Sequence, residues 1–380
     1  MNRIIQVDFF RGLFLIIITT NHFLSWHNII FYFTSEFIGW VTAAEGFVFL
    51  SGLTAGIVYS RKLVEKGEAF ITLAARKRAW TIYKYHLILF LLAIIIIFSH
   101  SFMIEFWFVN YEDFKLILRK PVLAMLLGST LLYQPIYLDI LPMYALYILL
   151  LPLTLKYLDK GKHGLVLACS FIVYLIGTFN PVSKLFDHFN ILTEVETGFF
   201  NLLSWQLLFI GGLYLGFLTY KNKTSYLLQN KKLFYSAILV CIVLFVFRNV
   251  TRQADNLQLN LDYWISKENL GPLRLLNFSA ILMVMSYLAS RYKQWFSFGP
   301  VCHLGKYSLE VFSLHILLII IFKPWQDLTN DFYGIKLTNN LYFYPWGTVM
   351  LLLVLIPALF LAPWLKNSVN KYKILSKSAV

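Results

Sequence analysis

The feature that most constrains this chain is its alternation of long apolar runs with short polar breaks. A helix that crosses a bilayer needs about 20 mostly apolar residues, because hydrocarbon offers no partner to backbone polar groups. Ten such runs can be read, at roughly 10–30, 37–59, 80–103, 137–156, 164–180, 199–219, 233–250, 272–290, 306–323 and 345–365. Composition points the same way. The 380 residues are 59% hydrophobic, 18% aromatic and 14% charged, with a mean hydropathy of +0.66. An average soluble domain is about 25% charged. This balance excludes a soluble globular fold, disorder, collagen and coiled coil. The expected class is an all-α polytopic membrane protein, one transmembrane domain over 1–380 with about ten helices.

The net charge of +14 from 33 basic and 19 acidic residues would raise nucleic acid in a soluble protein. Here it is better explained by cytoplasmic loops, which carry excess Lys and Arg. With both termini inside, 23 of the 33 basic residues fall on the cytoplasmic side, which favours that orientation. No nucleic-acid partner is expected. Asp8 and Arg11 interrupt the start of the chain, and Thr19-Thr20-Asn21-His22 follows the apolar stretch Leu13 to Ile18 instead of small residues. It reads as a retained helix and not a cleavable signal. Cys169, Cys241 and Cys302 lack metal-type spacing, so neither a disulfide nor a metal is expected.

The outward loops are long. Residues 104–136 contain an apolar stretch broken by Arg119, Lys120 and Pro121, expected to be interfacial or re-entrant. An extra span there would invert everything after it. Residues 181–198, 251–271 and 324–344 are polar and aromatic, and suit either a vestibule or plain loop packing.

Ionisable residues inside spans are costly and are functional candidates by default. Arg11 and His22 lie about 16 Å apart along helix 1 and only about 20° apart around it. They therefore share a face, with His22 expected near mid-membrane; a satisfied structural histidine is the competing reading. Glu45 lies in Ala44-Glu45-Gly46-Phe47 on helix 2, where a carboxylate is expensive unless paired. It could orient His22 as a general base or anchor a neighbouring helix. Gly46, Gly52 and Gly56 suit close helix packing. Asp139, ahead of Pro142, reads as an ordinary helix cap or as a second carboxylate of the site. His315 follows Ser308 by two turns on helix 9 and is weighed equally as functional or structural. Arg61, Arg76 and Arg78 flank the loop between helices 2 and 3. Guanidinium forks bind phosphates, although topology alone accounts for such a cluster. No Walker loop, dinucleotide fingerprint or nucleophile elbow is present. The residues thus lead to a transporter or to an enzyme working across the membrane.

Val7-Asp8-Phe9-Phe10-Arg11-Gly12 leading to His22 resembles the opening of the transmembrane acyltransferase superfamily, whose helix 1 carries an Arg-x10-His motif. More narrowly, the chain resembles OpgC-type osmoregulated periplasmic glucan succinyltransferases. The stretches Ala43 to Gly52, Arg78-Ala79-Trp80, Tyr137 to Pro142, Asn201 to Gln206, Pro272-Leu273-Arg274 and Leu304 to His315 carry that likeness. Asn21 departs from the Asp found before the His in many relatives. The resemblance implies acyl transfer in a bacterial inner membrane. Acyl-CoA would be the co-substrate, succinyl-CoA favoured over acetyl-CoA, with phosphates at Arg61, Arg76 and Arg78 and also Arg11. A periplasmic glucan or related glycan would be the acceptor. It further implies His22 as base, oriented by Glu45 or Asp139, with Asn21 or His315 stabilising the oxyanion and Arg274 facing a succinyl carboxylate. Trp205 and Gln206 come forward as substrate-side residues. The alternatives are a proton-coupled carrier of a polar or anionic solute using His22 and Glu45, or acetyl transfer to a surface polysaccharide. A homo-oligomer is left open.

Overall fold

The computed structural model describes residues 4–24, 28–179, 197–224, 229–253, 261–333, 335–338 and 341–368. Of the expected outward loops, residues 181–196, 254–260, 334 and 339–340 lie outside that set.

Helix α1 is Ile5–Phe23, displaced toward the N-terminus from the expected 10–30. The Thr19 and Thr20 hydroxyls bond back to the carbonyls of Leu15 and Ile16, and Leu24 turns extended at φ −76°, ψ 148°. His22 therefore sits in the last turn of α1 and not midway along a longer helix. Asn28 caps the short α2, Ile29–Thr34, by accepting from the Ile30 N–H.

Helix α3, Ala43–Ile97, is broken at Gly67, which has φ +80° and ψ 174°. The Tyr59 hydroxyl donates to the Ala74 carbonyl at 3.3 Å. In an unbroken helix those residues would lie about 22 Å apart along the axis. The chain therefore folds back at Gly67, at a φ that glycine adopts without steric cost. The expected helices 2 and 3 both exist, but the loop between them is mostly helix. Its Ala, Lys, Arg and Glu residues are strong helix formers, which explains the difference.

The 104–136 region forms α4 (Ser101–Asn110), α5 (Lys115–Arg119) and α6 (Pro121–Ser129). Pro121 opens α6, where its missing N–H costs nothing. None of these pieces is long enough to cross a bilayer. The C-terminal end of α6 is held by α3: Tyr83 donates to the Ser129 carbonyl, and His86 Nε2 meets the Gly128 carbonyl at 3.1 Å.

The remaining helices are α7 (Ile140–Asp159), α8 (His163–Phe179), α9 (Leu202–Tyr220), α10 (Lys231–Gln253), α11 (Asp262–Ile265), α12 (Pro272–Arg291), α13 (Gly299–Lys306) and α14 (Ser308–Tyr333). A small antiparallel hairpin of β1 (Ile335–Thr338) and β2 (Leu341–Phe343) follows. The last apolar run comprises α15 (Pro345–Met350), a π turn (Leu351–Leu355) and α16 (Ile356–Leu359), and stays helical to residue 368.

Among the described residues, seven helices are long and apolar enough to cross a membrane: α3, α7, α9, α10, α12, α14 and Pro345–Ser368. Each arm of α3 separately exceeds the required length. Helix α1 is not among the seven, its apolar run being diluted by Asp8, Arg11, Asn21 and His22; α8, at 17 residues, is short. The chain is an all-α membrane protein in which every expected run coincides with a helix.

Contacts divide the chain into two compact units. One holds Met1–Phe37, Thr42–Ala44 and Tyr292–Val380; the other holds Ile38–Val41 and Glu45–Arg291. Bare backbone crossings build both. In the first, a Cβ on Gly12 would lie 1.9 Å from the Val301 carbonyl oxygen, and one on Gly305 would lie 1.8 Å from that of Asp8. In the second, Gly52 and Gly56 of α3 meet α9 at Phe209 and Leu213 in the same way, as small residues permit.

Candidate functional site

The first unit brings α1 and α14 side by side. The Arg11 guanidinium is buried and donates through Nη2 to Ser308 Oγ at the start of α14. Two turns on, His315 is wholly buried and its Nε2 lies 3.3 Å from His22 Nδ1. The two rings are 5.4 Å apart between centroids, with 30° between their planes. His315 Nδ1 lies against the Phe312 carbonyl one turn back. Further along α14, Lys323 donates to the Phe23 carbonyl at 2.8 Å and to Gln326 Oε1 at 3.2 Å, and pairs with Asp327 at 3.3 Å. Of the expected residues, His22 and His315 meet, and Arg11 lies on the same α1–α14 contact, two turns of α14 away.

Asn21 is hydrogen-bonded to α2. Its amide donates to the Thr34 carbonyl and its carbonyl accepts from the Thr34 hydroxyl. The asparagine thereby ties α2 to the end of α1.

In the second unit Glu45 and Arg274 meet each other. Arg274 Nη1 is 2.6 Å from Glu45 Oε1, with side chains 3% and 0% exposed. Arg274 Nε also donates to the Ile265 carbonyl. One turn on, Asn277 accepts from the Trp40 N–H at 2.8 Å. Two residues of α12 thus hold the segment leading into α3. The carboxylate expected beside His22 and the cation expected to face an acyl carboxylate are an ion pair. Matching charges from helices far apart in sequence leaves no local spacing to read.

Asp139 precedes α7 but makes no side-chain cap. Its Oδ2 accepts from the Phe199 N–H at 3.1 Å instead, which corrects the capping reading. Burial pushes its carboxyl up to about 6, against the opposing pull of that N–H and of Lys267. Trp205 is buried and donates to the Lys267 and Glu268 carbonyls. Gln206 exchanges two hydrogen bonds with Ser170 across α8 and α9. The polar atoms of both side chains are taken up inside the unit.

The arginines around Gly67 lie at the surface. Arg61 pairs with Glu65 at 2.7 Å. Arg76 shares a groove of about 290 Å³ with Thr72, Glu68 and Lys156, the last two bridged at 2.8 Å. Arg78 is half-buried. Sequence reading overlooked Lys323; its signal was a cation four residues before Asp327 at the end of an apolar run.

A family model described as OpgC protein matches residues 3–366. The chain belongs to the OpgC family. Membership points to a glucan-modifying acyltransferase, a transferase held in a membrane by many helices. Neither a curated protein nor a solved structure matches the chain. Within the matched OpgC region lie all the residues of the α1–α14 contact.

Proposed function

We propose that the protein is an O-acyltransferase that moves an acyl group, succinyl in preference to acetyl, from cytoplasmic acyl-CoA to a hydroxyl of a periplasmic glucan or related glycan. It works in the bacterial inner membrane with both termini inside. The observation that carries this reading is the imidazole of His22 held beside His315 on two helices that also join Arg11 to Ser308. A general base needs a positioned imidazole, and membership of the OpgC family supplies the reaction class. Arg61, Arg76 and Arg78 are the proposed phosphate ligands of the donor. Lys156 beside Arg76 adds a second cation to that groove. No metal enters the scheme.

In the reaction, His22 takes the hydroxyl proton as the oxygen attacks the thioester carbonyl. The collapsing intermediate releases CoA as its thiol and leaves a glycan ester. The developing oxyanion requires a donor, a role proposed for Asn21.

The test is CoA release by the purified protein in nanodiscs, with succinyl-CoA or acetyl-CoA, with and without soluble glucan. Thioester loss that needs glucan, prefers succinyl-CoA and falls at least 100-fold in His22→Ala is expected. Turnover equal in His22→Ala and wild type would refute His22 as base. No turnover and no thermal shift with either ester would favour a carrier.

A further inference from the structure

The contact between the two histidines constrains where their protons reside. His315 Nδ1 faces the Phe312 carbonyl oxygen, and a carbonyl oxygen only accepts, so that nitrogen carries the proton. In a neutral imidazole the other nitrogen is then an acceptor. That nitrogen, Nε2, is 3.3 Å from His22 Nδ1. Two lone pairs would repel at this distance, so His22 Nδ1 carries a proton too. The His22 lone pair consequently lies on Nε2.

We infer that His315 is a positioning residue that fixes the tautomer of His22 and makes Nε2, not Nδ1, its basic nitrogen. The inference rests on His22 being the base. A buried imidazole anchored to its own helix backbone takes the orienting role that a carboxylate fills in many triads. Anchoring is what suits it to the task. Phe312 O holds one nitrogen and His22 the other, so the ring cannot flip without losing both contacts, and the Phe312 ring packs edge-on against the imidazole at 4.7 Å. During transfer the hydroxyl proton passes to His22 Nε2 while the oxygen bonds to the thioester carbon. The C–S bond then breaks, and the Nε2 proton passes to the departing thiolate. The Nδ1 proton stays in the hydrogen bond to His315 throughout.

The experiment uses the full chain in lipid bilayers with ¹⁵N-labelled histidine, reading imidazole nitrogen shifts. His22 signals are identified by their loss in His22→Gln. Neutral His22 protonated at Nδ1 is expected in the wild type. His315→Gln places an amide oxygen near the former Nε2, so it keeps the Nδ1–H tautomer and turns over within about tenfold of wild type. His315→Leu has similar bulk and no acceptor. His22 then shifts to the Nε2–H form, and kcat falls about 10²–10⁴-fold with the acyl-CoA KM nearly unchanged. An Nε2–H His22 in the wild type, or Nδ1–H retained in His315→Leu, overturns the inference. The wild-type and His315→Gln spectra decide it even where His315→Leu does not fold. Full turnover in His22→Gln would remove the base assignment alone, leaving the tautomer to the spectra.

Discussion

The Glu45–Arg274 pair can be taken apart by a double-mutant cycle. The contact is 2.6 Å between atoms, with both side chains almost wholly buried. Charge centres roughly 4 Å apart attract by about 4 kcal/mol at an effective dielectric of ~20. Desolvation offsets much of this, so the pair adds little net stability over an apolar replacement. Removing one partner is different, because an uncompensated charge stays buried. Glu45→Gln and Arg274→Met should each cost about 3–5 kcal/mol. The double variant, which leaves neither charge behind, should cost less than either single variant, so the coupling energy should exceed about 3 kcal/mol. Thermal unfolding in nanodiscs measures the stability side, and CoA release measures the functional side. If the pair only clamps α12 to the start of α3, the double variant regains turnover along with stability. If Glu45 also acts on the reaction, stability returns and turnover does not. Additive losses in stability would refute the assignment of a coupled buried pair.

Two further outcomes follow from the geometry. The Asp139 carboxyl, at about 6 against an ordinary 3.8, keeps its proton when folded over a window in which the unfolded chain has lost it. It therefore lowers stability progressively as pH rises from 4 to 6, by up to about 3 kcal/mol; Asp139→Asn, which keeps an acceptor for Phe199, should flatten that stretch of a melting-versus-pH curve, and a variant weaker at pH 7 than at pH 4 would contradict it. Gly12→Ala drives a Cβ to 1.9 Å from the Val301 carbonyl, so α1 and α13 must part, at a cost of about 1–3 kcal/mol or more; Gly164→Ala, with nothing within 4 Å, is the control and should leave the melting midpoint unchanged or raised.

The apolar runs made the fold legible, because spanning length and backbone satisfaction are local demands. Where the reading slipped, a competing local force was at work. Helix α1 ended early because Thr19, Thr20 and Asn21 redirected the chain. The 60–79 loop became helix because its charged residues are also good helix formers, and only Gly67 could turn it. The site was half legible. Arg11 and His22 declare themselves by sharing a helix face, and His315 by a two-turn interval from Ser308. Which partner each would take was not legible. Glu45 could be read toward His22 or toward a neighbouring helix, and sequence spacing does not rank His22 against Arg274. Asp139 looked like a cap because Pro142 follows, yet its acceptor oxygen went to Phe199, sixty residues away.

The α1–α14 contact also constrains topology. Arg11 meets Ser308, His22 meets His315 and Phe23 meets Lys323, so both chains advance in the same direction. Two parallel spans must have an odd number of crossings between them. The ten expected runs place seven between α1 and α14. Making 104–136 a further crossing would raise that to eight and force the two helices antiparallel, against the three ordered contacts. Single cysteines in a background lacking Cys169, Cys241 and Cys302 test this with a membrane-impermeant thiol reagent. Gly161→Cys and Gln294→Cys should label from one face of the membrane, and Asn110→Cys from the other. Labelling of Asn110→Cys from the same face as Gly161→Cys would show that the segment between them does not return as the parallel pairing requires.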